Sequence, residues 1–231
     1  MSIISGKTII SGSTFQTIAP SAPSYVVQSN LNGLNISGQG YNILATVPTV
    51  GNLLVAIGTE YPGIRNIKTG WTQIYNTGEG FDDILAAYRI VQPGDTTTCD
   101  WLYSGGGSYA GIVGVWEIKN YDANATSFVD LTFANQSSVS GNYNPTIGST
   151  TTPNQIVLSL TESTGSAMTP DPQWIVDQYT VPVLNDADNH STGRGGLMTH
   201  QLVSTAGPIT QSIGFASSQT GEMGIVSIKL V

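Results

Sequence analysis

The chain is poor in basic residues, cysteine and histidine. Lys and Arg account for 7 of its 231 residues against 15 Asp and Glu, which gives a formal net charge of −8. A protein surface that binds nucleic acid or an anionic membrane needs a continuous positive field, which seven scattered basic residues do not create. We therefore expect neither nucleic acid nor membrane among the partners. The single cysteine, Cys99, has no second thiol to pair with, so the fold does not depend on oxidation.

Charge of either sign is scarce. Charged residues make up 10% of the chain, whereas roughly 25% is usual in globular proteins. Their place is taken by 27 Gly, 27 Thr, 24 Ser and 15 Asn. This composition argues against a coiled coil or a charged helical bundle, and it predicts a surface of hydroxyls and amides. No apolar run approaches the length of a transmembrane helix, and we expect no signal peptide.

The sequence has no helical period. Apolar residues instead alternate with polar ones in short segments that end at Gly, Pro, Asn or Ser. Leu53–Ile57 is apolar at every position, as in a strand that is buried on both faces. These signals predict an all-β fold, a jelly-roll-like antiparallel β-sandwich with an extended N-terminal arm. The segments interpreted as strands include 41–47, 53–57, 84–91, 111–119, 155–161 and 225–231.

A short repeat opens the chain. The hexads 3–8 and 9–14 match at five of six positions, and a Pro/Ser-rich segment, 19–24, follows. One interpretation is a β-hairpin or edge strand. The other is an arm that pairs with another subunit. We expect residues 1–24 to be arm and linker and residues 25–231 to be one sandwich domain. The apolar residues proposed for assembly are Ile3, Ile4, Ile9, Ile10 and Phe15.

Residues that carry chemistry are few, and their patterns are weak. We interpret His200 as a structural histidine in a strand and Cys99 as a buried, inert thiol. Asp186, Asp188 and His190 lie in one polar loop, which is interpreted as solvated, with a Ca²⁺ site as the alternative. No nucleophile–base, metalloprotease or phosphate-loop motif is present. We therefore expect no enzymatic activity, no cofactor and no catalytic or metal-binding residue.

Tyrosines beside predicted turns leave two interpretations open. Tyrosine and tryptophan side chains near loops can bind a glycan in a hydrated, polar interface. The same side chains can also cap the ends of a sandwich core. We expect these residues to cap the ends of the sandwich core. The residues concerned are Tyr61, Tyr75, Tyr103, Tyr109, Tyr121 and Tyr143.

Residues 40–120 resemble a β-sandwich module of bacteriophage virion structural proteins. The resemblance rests on segments 51–56, 70–74, 85–91, 93–95 and 110–116, together with Trp101. The chain departs from the pattern in carrying Asn52 for Asp, a single Tyr88, and Trp116 for the usual Tyr. Apart from the resemblance, Trp71, Tyr88, Trp101 and Trp116 are expected in the core, with the last three filling one layer.

The resemblance implies a sandwich fold and a place on a virion, and no catalytic residue carries over from it. The leading hypothesis is a non-enzymatic capsid decoration (cement) protein, a homo-oligomer and in particular a trimer, that binds the major capsid protein. The alternative is a tail-fibre or receptor-binding module that contacts tail components and host glycan. A glycan-processing enzyme of the sandwich fold ranks third. In each phage hypothesis the protein is made in the host cytoplasm and ends in the virion.

Overall fold

The protein is all-β. The computed structural model describes residues 8–11, 14–17, 25–33, 40–61, 66–77, 83–103, 110–139, 142–164, 167–180, 194–216 and 219–231. Within these ranges there are 20 strands and no helix, and the sheets are antiparallel throughout. The predicted fold class, an antiparallel β-sandwich of jelly-roll type, is thereby confirmed.

The strands fall into a hairpin and two larger groups. The hairpin consists of β1 (Thr8–Ser11) and β2 (Thr14–Thr17). The first group, called repeat one, comprises β3 (Val26–Gly33), β4 (Gly40–Ile43), β5 (Leu53–Tyr61), β6 (Asn66–Ile67), β7 (Thr72–Asn76), β8 (Asp83–Ile90), β9 (Thr98–Tyr103) and β10 (Ala110–Ile118). The second, called repeat two, comprises β11 (Val129–Val139), β12 (Asn142–Tyr143), β13 (Gly148–Thr150), β14 (Gln155–Thr164), β15 (Met168–Thr169), β16 (Ile175–Thr180), β17 (Arg194–Val203), β18 (Gly207–Ile209), β19 (Ile213–Phe215) and β20 (Gln219–Lys229).

The two repeats share one strand order. Repeat one has a five-stranded sheet in the order β3-β10-β5-β8-β7 and a three-stranded sheet in the order β4-β9-β6. Repeat two has a five-stranded sheet β11-β20-β14-β17-β16 and a three-stranded sheet β12-β19-β15, with β13 and β18 paired beside them. When the additional pair β13–β18 is left out of the count, the two larger sheets correspond strand for strand, in the order first, eighth, third, sixth and fifth. Each repeat is therefore a jelly-roll-like sandwich, and the region expected to form one sandwich contains two.

The two repeats also correspond residue by residue, in strand register and in the position of their bulges. Ile57 on β5 lies opposite Gly114, and Leu160 on β14 lies opposite Gly224. The edge strands β7 and β16 carry a bulge at the same place, between Gln73 and Tyr75 in one and between Val176 and Gln178 in the other.

The turns before β5 and β14 also match. Gly51 has φ 89° and Asn154 has φ 54°, so both turns need the left-handed conformation that Gly and Asn tolerate best.

The five-stranded sheets of the two repeats pack face to face. Each contact made by a strand of repeat one has an equivalent made by the matching strand of repeat two. Strand β10 packs on β17, and its equivalent β20 packs on β8. Strand β3 packs on β16, its equivalent β11 packs on β7, and the equivalent strands β5 and β14 contact each other. The equivalent glycines Gly114 and Gly224 allow this close approach. A Cβ on Gly224 would lie 2.7 Å from Ile57 Cγ2, and one on Gly114 would lie 2.9 Å from Met198 Sδ. The repeats are thus arranged like the two halves of a symmetric dimer within one chain.

Three buried clusters follow from this stacking. One lies between the two five-stranded sheets, and each of the others lies between the two sheets of a single repeat. Alternation along the strands decides which side chains enter which cluster. On β5, for example, Leu53, Val55 and Ile57 face the other repeat, whereas Leu54 and Ala56 face the interior of repeat one. The expectation that Leu53–Ile57 is buried on both faces is confirmed.

Candidate functional site

The N-terminal hexads lie in the hairpin. Ile9 and Ile10 are on β1 and Phe15 is on β2, with Ile10 opposite Phe15 and Ile9 opposite Gln16. The hairpin is a two-stranded sheet of its own. Ile3 and Ile4 lie outside the described residues, as does the whole Pro/Ser-rich segment 19–24. Of the two interpretations of the repeat, local hairpin pairing is present, and pairing with another subunit stays a prediction.

The predicted core aromatics occupy two layers, with Trp71, Trp101 and Trp116 buried and Tyr88 half-buried. Trp71 and Trp101 share the interior of repeat one with ring centroids 6.2 Å apart. Trp116 lies between the repeats, where Tyr88 packs against the same cluster and meets Phe128 edge-on at 4.7 Å. The expectation that Tyr88, Trp101 and Trp116 fill one layer is wrong. Trp101 belongs to the smaller sheet, whereas Trp116 and Tyr88 project from the other face of the larger sheet.

Trp174 was missed by the sequence reasoning. It precedes β16 as Trp71 precedes β7, it is buried in the interior of repeat two, and its indole N–H donates to the Thr210 carbonyl at 3.0 Å. The sequence signal for the repeat, and hence for Trp174 as the equivalent of Trp71, lies in the similar endings of β10 and β20. These read Gly-Val-Trp-Glu-Ile-Lys at 114–119 and Gly-Ile-Val-Ser-Ile-Lys at 224–229. A search for long-range repeats would have used it.

Asp177 joins the two repeats. One carboxylate oxygen accepts the indole N–H of Trp116 at 2.8 Å, and the other lies 2.8 Å from Nδ1 of His200. Asp177 is the extra residue of the β16 bulge, which turns its side chain toward β10. All three side chains are buried or nearly so.

A carboxylate that orients a histidine through Nδ1 resembles part of a hydrolytic triad. In the described part of the chain, the hydrogen bonds of the structure connect His200 to Asp177 and Asp177 to Trp116, so the arrangement links the two repeats. The interpretation of His200 as a structural histidine stays a prediction.

Other buried carboxylates also hold the fold together. Glu117 accepts the Thr49 amide at 2.8 Å and the side-chain amides of Asn52 and Gln28 at 2.6 Å. Glu162 accepts the hydroxyl of Thr59 from the other repeat. Glu117 thus holds neighbouring loop and strand residues in place, and Glu162 links the two repeats. A buried charged group requires hydrogen-bond partners of this kind.

The candidate nucleophile and metal ligands contribute no site in the described part of the chain. Cys99 is buried, and burial raises the pKa of its thiol to about 12, with the positive charge of Arg89 opposing the shift. No group of three or more His, Cys, Asp or Glu among the described residues could hold a metal ion. The loop with Asp186, Asp188 and His190 lies outside the described residues, so its interpretation as solvated stays a prediction.

The described residues form two open surface clefts of mixed polar and apolar lining. One, of about 560 Å³, is lined by strand ends and loops of repeat two that include Thr169, Asp171, Ser212 and Phe215. The other, of about 440 Å³, lies beside β7 and β8. Asp171 in the first cleft already accepts the amides of Ser212 and Gln173, both at 2.9 Å. Its carboxylate therefore shapes the loop.

Three of the six tyrosines that could have served a glycan are part of the core. Tyr121 and Tyr143 are buried, and Tyr75 packs against the cluster between repeats. Burial raises the pKa of Tyr143 to about 12. The side chains of Tyr61, Tyr103 and Tyr109 lie outside the described residues.

No protein-family model, curated protein or solved structure matches the chain. Among the described residues, no helix is long and apolar enough to cross a membrane.

Proposed function

We propose that the chain is a non-enzymatic structural protein of a bacteriophage virion, specifically a capsid decoration protein that binds the major capsid protein and self-associates as a trimer. The observation that carries this proposal is the N-terminal hairpin. It is a two-stranded sheet of its own beside two complete sandwiches. Isolated two-stranded sheets are marginal in water, so a hairpin of this kind gains stability by docking on another surface.

The use of polar groups inside the fold supports a role without catalysis. Asp177, His200, Glu117 and Glu162 are engaged in contacts that hold strands, loops and repeats together. The remaining surface is rich in hydroxyls and amides and poor in charge, which suits protein–protein contact. The resemblance of residues 40–120 to virion sandwich modules supplies the phage context, and it is a likeness of pattern only.

Co-sedimentation with phage particles tests the proposal. Purified full-length protein should pellet with particles that lack their decoration, and deletion of residues 2–18 should lower the bound fraction. The variant Ile9→Asp/Ile10→Asp should behave like the deletion, because it places charge on the hairpin. The matched control Ile9→Val/Ile10→Val keeps β-branched apolar residues and should bind normally. Electron microscopy of gold-labelled protein should place it on the capsid. Failure of the wild-type protein to bind, or label confined to tails, would contradict decoration.

The cleft beside β7 and β8 favours one alternative, a tail-fibre or receptor-binding module for host glycan. Its lining residues carry an aromatic ring, an amide and hydroxyls, together with a guanidinium that also contacts Asp95, and this set suits sugar recognition. These groups come from Thr69, Thr72, Tyr88, Arg89 and Gln92. A glycan array separates the two functions. Binding to an array sugar that survives deletion of residues 2–18 would favour the receptor-binding role.

A further inference from the structure

The two repeats expose equivalent edge strands of opposite character. Both β7 and β16 follow a buried tryptophan, carry the same bulge and end a five-stranded sheet. On β7 the exposed positions are polar: Thr72, Gln73 and Asn76. The same positions on β16 are Ile175, Val176 and Tyr179, with exposed fractions of 54%, 44% and 38%.

The character of β16 is that of a contact surface. Edge strands present unpaired main-chain donors and acceptors, and proteins ordinarily protect them with polar or charged side chains. Strand β7 follows this rule. Among the described strands, β16 pairs only with β17, and it places apolar side chains beside its other main-chain edge. Because the two strands share position and geometry, the fold does not require the difference.

The N-terminal segment differs in charge from the rest of the chain. Residues 1–24 contain no acidic residue and one basic residue, Lys7, whereas the remaining chain carries six basic and 15 acidic residues, a net charge of −9. The hairpin sequence is also rich in β-branched residues, with Ile9, Ile10 and several threonines. Within its own chain the hairpin is a separate sheet and is not joined to β16.

We propose that the outer edge of β16 is the acceptor for the N-terminal hairpin of a second copy of this chain. A hairpin strand extends the five-stranded sheet of repeat two, main-chain hydrogen bonds supply affinity, and Ile175, Val176 and Tyr179 cover the apolar side chains of the incoming strand. The inference rests on the self-association included in the proposed function. It does not depend on a particle, so purified protein suffices to test it.

The first test exchanges the β16 side chains for those of β7. The variant Ile175→Thr/Val176→Gln/Tyr179→Asn should fold cooperatively, since the equivalent edge already carries these residues. Its self-association, measured by native mass spectrometry over a concentration series, should weaken at least roughly tenfold. Because Tyr179 also accepts the Met168 amide at 2.9 Å, the double variant Ile175→Thr/Val176→Gln is made in parallel. Unchanged association of the folded double variant would overturn the proposal.

The matched control changes only polar residues on the other edge. The variant Thr72→Ser/Gln73→Asn should associate like the wild type. An equal loss of association in this control would show that the effect is not specific to β16, and it would overturn the proposal. Loss of particle binding by the wild-type protein, with its self-association intact, would contradict the decoration role and leave this inference standing.

The second test identifies the occupant. Full-length Ile10→Cys and Val176→Cys are purified separately, mixed and oxidised, while buried Cys99 stays unreactive. A disulfide-linked pair containing one copy of each protein is expected from the mixture and from neither protein alone. Linkage of Val176→Cys to itself would instead identify a symmetric contact between two β16 edges. A link within one chain of the double variant Ile10→Cys/Val176→Cys at high dilution would identify docking within the chain. Either result, or no link in an associated sample, overturns the proposal.

Discussion

The contact between Trp116 and Asp177 makes a quantitative prediction about how the repeats hold together. Trp116 is fully buried between them, and Asp177 receives its indole N–H at 2.8 Å. Replacing Trp116 by Phe keeps most of the buried ring but removes one donor from a buried carboxylate. A hydrogen bond to a charged group contributes about 1.5–3 kcal/mol, and we expect a loss of stability in this range. Trp116→Ala also leaves a cavity and should cost about 3–5 kcal/mol.

Trp101 supplies a matched control. It is equally buried, but its indole N–H donates to the uncharged Asn42 side chain at 3.4 Å, within repeat one. Trp101→Phe should therefore cost less than Trp116→Phe, about 1 kcal/mol or below for a long neutral bond. The double variant Trp116→Phe/Asp177→Asn isolates the pair. Residues in direct contact couple by about 0.5–3 kcal/mol, and the coupling should fall in the upper half of that range.

Urea unfolding at pH 7, followed by far-ultraviolet circular dichroism, measures these differences without relying on the altered tryptophan emission. If Trp116→Phe is as stable as the wild type, or no less stable than Trp101→Phe, the bond to Asp177 does not contribute as argued. A coupling near zero in the double-mutant cycle would refute the reasoning in the same way.

The remaining predictions concern close packing and titration. Gly224→Ala should destabilise the fold more than Gly114→Ala, because the new Cβ at 224 would meet the branched side chain of Ile57, whereas the one at 114 would meet the flexible Met198. Thermal unfolding of both variants checks this order, and the reverse order would contradict it. Burial acts to raise the pKa of Asp130, but hydrogen bonds from Gln155 and Thr151 outweigh it and hold that pKa below its ordinary value of 3.8. The resulting stabilisation is present above the ordinary value and is lost as pH falls through the lowered one. Unfolding of Asp130→Asn between pH 7 and 2 should therefore start less stable than wild type and decline less toward acid, and parallel curves would count against this. Because the pKa of its thiol is about 12, Cys99 should react with an alkylating reagent at pH 8 far more slowly in native protein than in urea. The difference in thiolate fraction alone slows the reaction roughly a thousandfold. Equal rates in the two conditions would show that the fold does not protect Cys99.

Strands were predictable because their signal is local. The alternation in 84–91 and 111–119 places Ile84 and Ala86 on one face of β8, and Ile112 and Trp116 on one face of β10. All four enter the cluster between the repeats, as a period of two requires. The resemblance covered 40–120, a range close to repeat one, so the same fold in repeat two went unnoticed.

The correspondence between the repeats is hard to see in the sequence because equivalent positions can change identity and because the spacing between them varies. Ile57 corresponds to Leu160 and Gly114 to Gly224, so the spacing between equivalents is 103 residues on one strand and 110 on another. Loops of different length shift the register, and a fixed-period comparison does not align the two halves. The similar endings of β10 and β20 are a sequence trace of the correspondence, and the shared strand order and bulges make it plain.

The sequence by itself determined the fold class, the faces of the strands and the scarcity of chemical groups, because each depends on composition or on neighbours along the chain. The tertiary structure alone decided which faces meet. Trp116 and Asp177 are 61 residues apart, and nothing in their local sequences indicates that a bulge on one sheet directs a carboxylate to an indole on another. The contrast between β7 and β16 has the same origin. Three apolar residues in a strand are unremarkable until the sheet order places that strand at an edge, where its side chains and main chain lack a partner within the sheet.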